Sequence, residues 1–373
     1  MSKYDSGNFA KAYYDRGVNP LRYREGMTAE ERAAWQKAVK EKVRELMAFS
    51  EEMYETPVVN HLKRKDRGFY YIDKYEISPE PDLWMTFFLL TPKSASEENK
   101  TPGVLCTPGT GWTKECLAGE EFWDLEYEPS QPPHGLNHRY YYANAMARHY
   151  VEHGLTALAC EDLGNGEHGG MHPNEVEKLL IGQGRTMMGV TVEIRYALLQ
   201  WLKSRPWVDR EKLAVSGHSL GVDSLMLTVT LDDDVQAFVY NDYICDWKER
   251  ISYNCPPSPM PTVCWHMYSG MHRWFSYPDL LAAYAPRKLF ITEGGPTVYL
   301  ERLKKVYEDL GAGENFRYDY YPDYADPKNR LYDGKSMFKG MTETEYLQFC
   351  NVVAEKHYFK FETAVPWLEE AMK

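Results

Sequence analysis

A short apolar run from Leu213 to Ser216 is followed by the pentapeptide Gly217-His218-Ser219-Leu220-Gly221 and then by a longer apolar run from Val222 to Thr230. The first run has the length of a buried parallel strand, and the second can pack as a helix. The two glycines remove Cβ atoms that would clash in a tight turn, and a helix N-terminus favours negative charge beside the serine. This Gly-x-Ser-x-Gly pattern between a strand and a helix predicts a nucleophile elbow with Ser219 at its tip.

Strand-like and helical segments alternate along most of the chain. Eight segments have the pattern of strands, and they are Tyr70–Ile77, Leu83–Leu90, Val104–Cys106, Leu155–Cys160, Leu213–Ser216, Val235–Tyr240, Leu289–Thr292 and Phe316–Tyr321. Strands that alternate with helices are joined by right-handed crossovers and form a largely parallel sheet. The sequence therefore predicts an α/β fold with a mostly parallel eight-stranded sheet and helices on both faces.

The N-terminal segment has a different pattern. Thr28-Ala29-Glu30-Glu31 resembles a capping box, and apolar residues follow at helical spacing, namely Trp35, Val39, Val43, Leu46 and Met47. One amphipathic helix cannot bury enough surface to be stable alone. We therefore expect residues 1–60 to form a helical arm packed on a body of residues 61–373.

Composition excludes some partners. The net charge of −12 argues against nucleic acid, because phosphate binding needs a basic face. The 7 cysteines show no paired metal-ligand spacing, so we expect buried thiols and no metal. The N-terminus has no apolar signal segment and no stretch is long enough to span a bilayer. We expect a cytoplasmic protein without a membrane partner, unless a leader has been removed, and a homo-oligomer remains open.

Several motifs resemble the α/β-hydrolase superfamily, in its dienelactone hydrolase and acetyl xylan esterase-like branch. Besides the elbow, they are Pro102-Gly103-Val104 leading into Thr107–Gly111, Gly184–Gly189, Arg205–Asp209 and Ala285-Pro286-Arg287. The resemblance covers the chain from about Phe69 onwards and implies a single catalytic domain with the α/β-hydrolase fold. It implies a serine hydrolase that cleaves carboxylic esters through an acyl-enzyme without a cofactor. A peptidase or lactonase on this fold, or a non-catalytic binding protein, remain alternatives.

The resemblance also implies an oxyanion hole and a base. The backbone N–H of Leu220 is expected to act with that of Thr110, with Gly111 and Trp112 as alternatives. His357 precedes the last helix and is expected to be the base. An insertion at about 323–356, with a predicted helix from Thr342 to Glu355, must fold back to present it.

The position of the acid is where the chain departs from the family pattern. The family places an Asp in a Gly-x-x-Asp loop, where this chain has Gly294-Gly295-Pro296-Thr297. Asp242 and Glu293 follow strands close to this gap, and we expect Asp242 to bond His357, with Glu293 as the alternative. His218 is expected to point away from the site.

Aromatic and polar side chains follow the carboxyl ends of the predicted strands, where α/β sheets bind ligands. The 29 tyrosines and 10 tryptophans of the chain would suit sugar rings or aromatic acyl groups,. The expected pocket residues are Trp112, Trp265, His266, His272, Trp274 and Arg185. The expected substrate is a small-molecule ester, of a carbohydrate or an aromatic compound.

Overall fold

The computed structural model of the protein describes residues 4–120, 141–251, 266–338 and 340–373. Within these ranges nine strands form one sheet, and they are β1 (Val58–Asp66), β2 (Tyr70–Glu80), β3 (Leu83–Pro92), β4 (Thr101–Thr107), β5 (Thr156–Ala159), β6 (Val208–His218), β7 (Val235–Asn241), β8 (Lys288–Ile291) and β9 (Phe316–Tyr318).

The strand order explains where a site can form. The strands lie in the order β1-β2-β3-β5-β4-β6-β7-β8-β9. The pairs β1/β2, β2/β3 and β3/β5 are antiparallel, whereas every pair from β5 to β9 is parallel. Parallel strands end at the same edge of the sheet, so the loops after β4, β6, β7 and β8 converge there. The predicted α/β architecture with a mostly parallel sheet is confirmed.

All eight predicted strands are present as β2 to β9, and the ninth, β1, has no apolar signature. Its residues are mostly exposed, and it includes the polar run Asn60-His61-Leu62-Lys63-Arg64. Pairing with β2 along its whole length holds it in place, and the Arg64 side chain binds the buried Asp73 of β2 at 2.7 Å. An edge strand with solvent on both faces does not alternate apolar and polar residues, which is why the sequence pattern does not reveal it.

Helices cover both faces of the sheet. They are α1 (Ser6–Asp15), α2 (Ala29–Met47), α3 (Lys114–Ala118), α4 (Met146–Glu152), α5 (Pro173–Ile181), α6 (Met187–Lys203), α7 (Gly221–Leu231), α8 (Trp247–Ile251), α9 (Met271–Trp274), α10 (Tyr277–Tyr284), α11 (Thr297–Asp309), α12 (Glu343–Phe349) and α13 (Phe361–Ala371), with short 3-10 turns at Gly166–His168, Gly313–Asn315, Pro322–Tyr324, Pro327–Asn329 and Ala354–Lys356. No helix in these described ranges combines the length and the apolar character that crossing a membrane requires.

Alternate side chains of each central strand enter separate cores. In β6, Leu213 and Val215 belong to the core under α2, α6, α7 and α10, whereas Ala214 belongs to the core under α4 and α13. Strands buried on both faces read as continuous apolar runs. Because β6 is packed on both faces, its position between the two cores is fixed, and so is the position of the turn that follows it.

The N-terminal segment packs on the first of these cores. Thr28 and Glu31 form the predicted capping box. The buried side chains of α2 join the core shared with α6 and α7, and they include Trp35, Val39, Val43 and Met47. The end of α2 crosses α6 closely, since a Cβ on Gly189 would lie 2.2 Å from the Met47 carbonyl oxygen. The division into an arm and a body stays a prediction.

The segment between β9 and α13 folds over the end of β7. Its helix α12 is shorter than predicted, because the backbone turns left-handed at Asn351, where φ is +57°. Tyr346, Phe349 and other apolar residues of the segment form a separate buried cluster with Tyr243. The Asn351 amide also donates to the Gly295 carbonyl over 3.1 Å. These contacts return the chain to the sheet edge just before His357.

Candidate active site

Ser219 lies at the tip of the turn between β6 and α7. Its φ is +53°, a left-handed value that non-glycine residues rarely adopt and that suits a nucleophile elbow. Its amide donates to the Asn241 carbonyl over 2.9 Å. Glycine is required at Gly221, because a Cβ there would lie 2.4 Å from the Pro108 carbonyl oxygen. The turn therefore holds Ser219, partly exposed, at the carboxyl edge of the sheet.

His357 and Glu293 form a hydrogen bond of 2.6 Å between Nδ1 and Oε2. Glu293 is fully buried just after β8, whereas 26% of the His357 side chain is exposed. The expectation that Asp242 would bond His357 is wrong, because Glu293 occupies Nδ1. Glu293 was the alternative carboxylate, and it lies in the same loop as Thr297, where the family pattern has its acid.

This contact shifts the pKa of both partners. Burial by itself would lower the pKa of His357, but the Glu293 carboxylate outweighs burial and raises that pKa above its ordinary value. Burial would raise the pKa of Glu293, but His357 and Lys360 outweigh it and hold that pKa far below its usual range. Each partner thus favours the charged form of the other. Glu293 stays ionised and can stabilise an imidazolium.

Asp242 is buried after β7, and its carboxylate is used by other groups. Its Oδ2 accepts from Arg250 Nη2 at 2.6 Å, and its Oδ1 accepts from the Tyr243 amide at 2.8 Å. Arg250 also lies 3.4 Å from Asp223, and burial raises the pKa of Asp223 to about 7. Asp242 is therefore committed to a buried ion pair with an arginine, which explains why it is not the partner of His357.

Asn241, the last residue of β7, connects the elbow with the loop that carries His357. Its amide nitrogen lies 2.9 Å from His218 Nδ1, and its Oδ1 accepts from the Lys360 amide at 2.8 Å. Burial and then the neighbouring His357 hold the pKa of His218 well below its ordinary value, so His218 is neutral. The ring centroids of His218 and His357 are 4.6 Å apart. The expectation that His218 points away from the site is wrong.

The loop after β4 lies directly against the elbow. A Cβ on Gly109 would be 3.1 Å from the Cβ of Ser219, so the backbone of this loop borders the serine. The Trp112 amide donates to the Gly109 carbonyl at 3.1 Å, which commits that N–H to the turn. Thr110 and Gly111 are therefore better placed than Trp112 to supply a second N–H beside that of Leu220, the first residue after the serine.

One expected pocket residue lies beside the elbow. His266 lines a narrow cavity together with Leu220, Ser224 and the side chains of α6 that face them. Burial lowers the pKa of His266 to about 4, so it is neutral and presents an uncharged ring there. Trp265 was also expected to line the pocket and lies outside the described residues.

Three other expected pocket residues make ion-pair or ring contacts within the protein, and these contacts give each of them a structural role. The Arg185 guanidinium is bonded to two glutamates, at 2.7 and 3.0 Å. The His272 ring stacks on Tyr14 of α1 with centroids 4.2 Å apart, and the Trp274 ring lies 3.9 Å from the Lys42 ammonium of α2. Arg185 therefore connects β2 with α6, and His272 and Trp274 connect α9 with the N-terminal helices α1 and α2.

The carboxylates near His357 raise the question of a metal ion. Asp242, Glu293 and His357 offer ligand atoms that all lie within 4.8 Å of one another, and this is the one such group in the part of the chain that the structure describes. Arg250 and Lys360 already bind the two carboxylates, at 2.6 and 2.5 Å. A metal ion would have to displace Arg250 and Lys360 or bind in spite of their repulsion. The donor set therefore suits a proton-transferring pair better than a metal ion.

Sequence reasoning missed Asn241, Arg250 and Lys360. Asn241 was available as a polar residue at the end of a strand that neighbours the elbow strand. Lys360 lies three positions after His357 in the same loop. Arg250 has no comparable signal, because a fully buried arginine looks like a surface one in a sequence.

The fold and the site define an α/β-hydrolase. The sequence model of the Abhydrolase family matches residues 14–370, so the chain belongs to this family, and the predicted superfamily is confirmed. No curated protein matches the sequence.

Solved structures resemble the chain over nearly its full length. A Bacteroides fragilis protein provisionally named an acetyl xylan esterase is 28% identical, with a TM-score of 0.88, over 99% of this chain and 95% of that one. A glucuronoyl esterase from Solibacter usitatus is 12% identical, with a TM-score of 0.61, over 95% and 97%. One from Teredinibacter turnerae is 13% identical, with a TM-score of 0.55, over 83% and 86%. The last two show the fold alone.

Proposed function

We propose that this protein is a serine esterase that hydrolyses carboxylic esters of carbohydrates through an acyl-enzyme. The observation that carries the proposal is the 2.6 Å hydrogen bond between His357 and Glu293, at the same sheet edge as the elbow serine. A serine, a histidine and a carboxylate on separate loops are the parts that this chemistry requires, whatever their order in the chain.

Each residue has a distinct role in the proposed reaction. Because Nδ1 of His357 donates to Glu293, Nε2 is left to accept the proton of Ser219 as its oxygen attacks the ester carbonyl. The N–H groups of Leu220 and of Thr110 or Gly111 stabilise the oxyanion. Glu293 stabilises the imidazolium without taking its proton. The alcohol leaves with that proton, and water then attacks the acyl-enzyme by the same route in reverse.

The substrate class rests on one comparison. The Bacteroides fragilis protein, similar over almost the whole chain, is provisionally named an acetyl xylan esterase, which supports an acetylated carbohydrate as the substrate. The lack of an acid in the Gly-x-x-Asp position is the feature that would support the alternative of a non-catalytic binding protein. Glu293 supplies a buried carboxylate from the same loop, which removes that reason.

A fluorophosphonate probe and a panel of esters test the proposal. The full chain should be labelled at Ser219, and Ser219→Ala should not be labelled. The panel contains acetylated xylo-oligosaccharides, methyl esters of uronic acids, aryl acetates and lactones. Higher kcat/KM on the acetylated sugars than on the uronate esters and lactones would support the substrate class. Absence of labelling in the folded protein would refute a catalytic serine.

A further inference from the structure

The side chain of Lys360 has three acceptors around its ammonium. Nζ lies 2.5 Å from Glu293 Oε1, 2.6 Å from the Lys356 carbonyl and 2.7 Å from the Tyr358 carbonyl. An ammonium has three N–H donors, so these contacts use its full capacity. The two carbonyls belong to the residues on either side of His357. One side chain therefore holds both the loop that carries the imidazole and the carboxylate that bonds it.

We propose that Lys360 is a positioning residue, which clamps His357 against Glu293 and limits how strongly that carboxylate favours the protonated imidazole. This inference rests on the proposed function, because it assumes that His357 must be neutral to accept the proton of Ser219. It adds to the serine, histidine and carboxylate a fourth group that touches none of the reacting atoms.

The charges around His357 support this role. Glu293 and Asp242 both raise the pKa of His357, and Lys360 opposes them. Arg250 offsets part of the charge of Asp242 through their ion pair at 2.6 Å, and the neighbouring His218 is neutral. Lys360 is thus the cation placed directly on the carboxylate that bonds the imidazole.

Burial lowers the pKa of Lys360, and the Glu293 carboxylate opposes that shift, while burial also strengthens the interaction between the two charges. The Lys360 side chain is only 15% exposed, and Glu293 is fully buried. Charges that are shielded from water interact more strongly than exposed pairs. The ammonium also lies 4.0 Å from the Tyr358 ring centroid and 5.0 Å from that of Tyr321, and both contacts favour a cation there. Without Lys360 the Glu293 carboxylate would lose its ammonium partner, and its charge would act more strongly on His357.

The test compares Lys360→Met, Lys360→Arg and a control, Lys356→Met, in the full-length chain. Lys356 neighbours His357 but forms an exposed pair with Asp323, with its side chain 44% exposed. Two quantities are measured: the titration midpoint of His357 by NMR, and the acid limb of kcat/KM for 4-nitrophenyl acetate.

Lys360→Met should move both upward by about one pH unit, since removing a buried charge close to a titrating group has effects of this order. Lys360→Arg should keep the His357 midpoint and the acid limb close to their values in the unsubstituted protein, because arginine keeps the positive charge. Lys356→Met should leave both within about 0.3 unit, since exposed charges are screened.

Should Lys360→Met not fold, Lys360→Gln replaces it, because Gln removes the charge but keeps two N–H donors on a slightly shorter side chain. A folded Met or Gln variant with an unchanged His357 midpoint would overturn the inference and leave Lys360 a purely structural role. The NMR midpoint does not depend on catalysis. It therefore separates this outcome from a failure of the proposed function, which would appear as hydrolysis that survives Ser219→Ala.

Discussion

The carboxylate of Glu293 lies 2.6 Å from Nδ1 of His357, although the two residues are 64 positions apart in the chain. Glu293 reaches this place from the end of β8, and His357 arrives after the long segment that packs on Tyr243 and its neighbours. The parallel strands β6 and β8 end at the same edge of the sheet as the loops that carry Ser219 and Glu293, and the segment after β9 returns His357 to that edge.

Replacing the elbow serine should remove activity and leave the fold intact. We expect Ser219→Ala to abolish hydrolysis of an activated aryl ester, because no other group at the tip of the turn can attack the carbonyl. The melting temperature should change little, since the side chain is partly exposed. Ser204→Ala serves as the control and should retain full activity, because the Ser204 hydroxyl bonds only the Trp201 carbonyl and the Arg205 side chain at the end of α6 among the residues that the structure describes. Unaltered hydrolysis by Ser219→Ala would refute the assignment of the nucleophile.

Neutralising Glu293 should mainly lower kcat, whereas neutralising Asp242 should mainly lower stability. Glu293→Gln should lower kcat by ~10³–10⁴-fold, because the imidazole loses the partner that fixes its tautomer and stabilises its charge. Asp242→Asn should instead lower the free energy of unfolding by on the order of 3 kcal/mol, because the buried Arg250 loses its 2.6 Å carboxylate partner and keeps only Asp223 at 3.4 Å,. Kinetics and urea unfolding of both variants separate these effects. A larger loss of kcat in Asp242→Asn than in Glu293→Gln, with both folded, would reverse the roles.

The pH profile should report the titration of His357. Only the neutral imidazole can accept the serine proton, so kcat/KM should fall as the pH drops through the His357 pKa. The Glu293 carboxylate raises that pKa, which places the midpoint of the acid limb above the ordinary histidine value of about 6.5. A profile measured on an uncharged aryl ester checks this, and a midpoint clearly below that value would contradict it.

The N-terminal helix α2 should contribute to the free energy of unfolding of the protein. We expect Met47→Ala to lower the free energy of unfolding by about 2–5 kcal/mol, because the fully buried side chain leaves a cavity in the main core,. Met171, with 55% of its surface exposed, offers the matched control, and Met171→Ala should be nearly neutral. Deletion of residues 1–50 should lower stability or solubility, and an equally stable, fully active truncation would show that the arm is dispensable.

Local patterns were sufficient for the elements that carry the fold. The apolar runs of β2 to β9 are buried on one or both faces, and burial leaves its period in the sequence. The elbow is equally local, because a strand, two glycines and a helix must follow one another within a few residues. Strand β1 escaped detection because an exposed edge strand is held by backbone pairing and needs no apolar pattern.

The sequence by itself determined the fold class, and its local patterns singled out the serine at the elbow and His357 before the last helix as candidates. Only the tertiary structure decided which carboxylate bonds His357, since Asp242 and Glu293 both lie just after strands that end at the same edge and they differ in their neighbours. Arg250, which lies 8 positions after Asp242, binds Asp242, whereas Lys360 and His357 bind Glu293. Which of the two carboxylates bonds His357 depends on the direction of the side chains and on the burial of their charges. Neither property can be inferred from the spacing of residues along the chain.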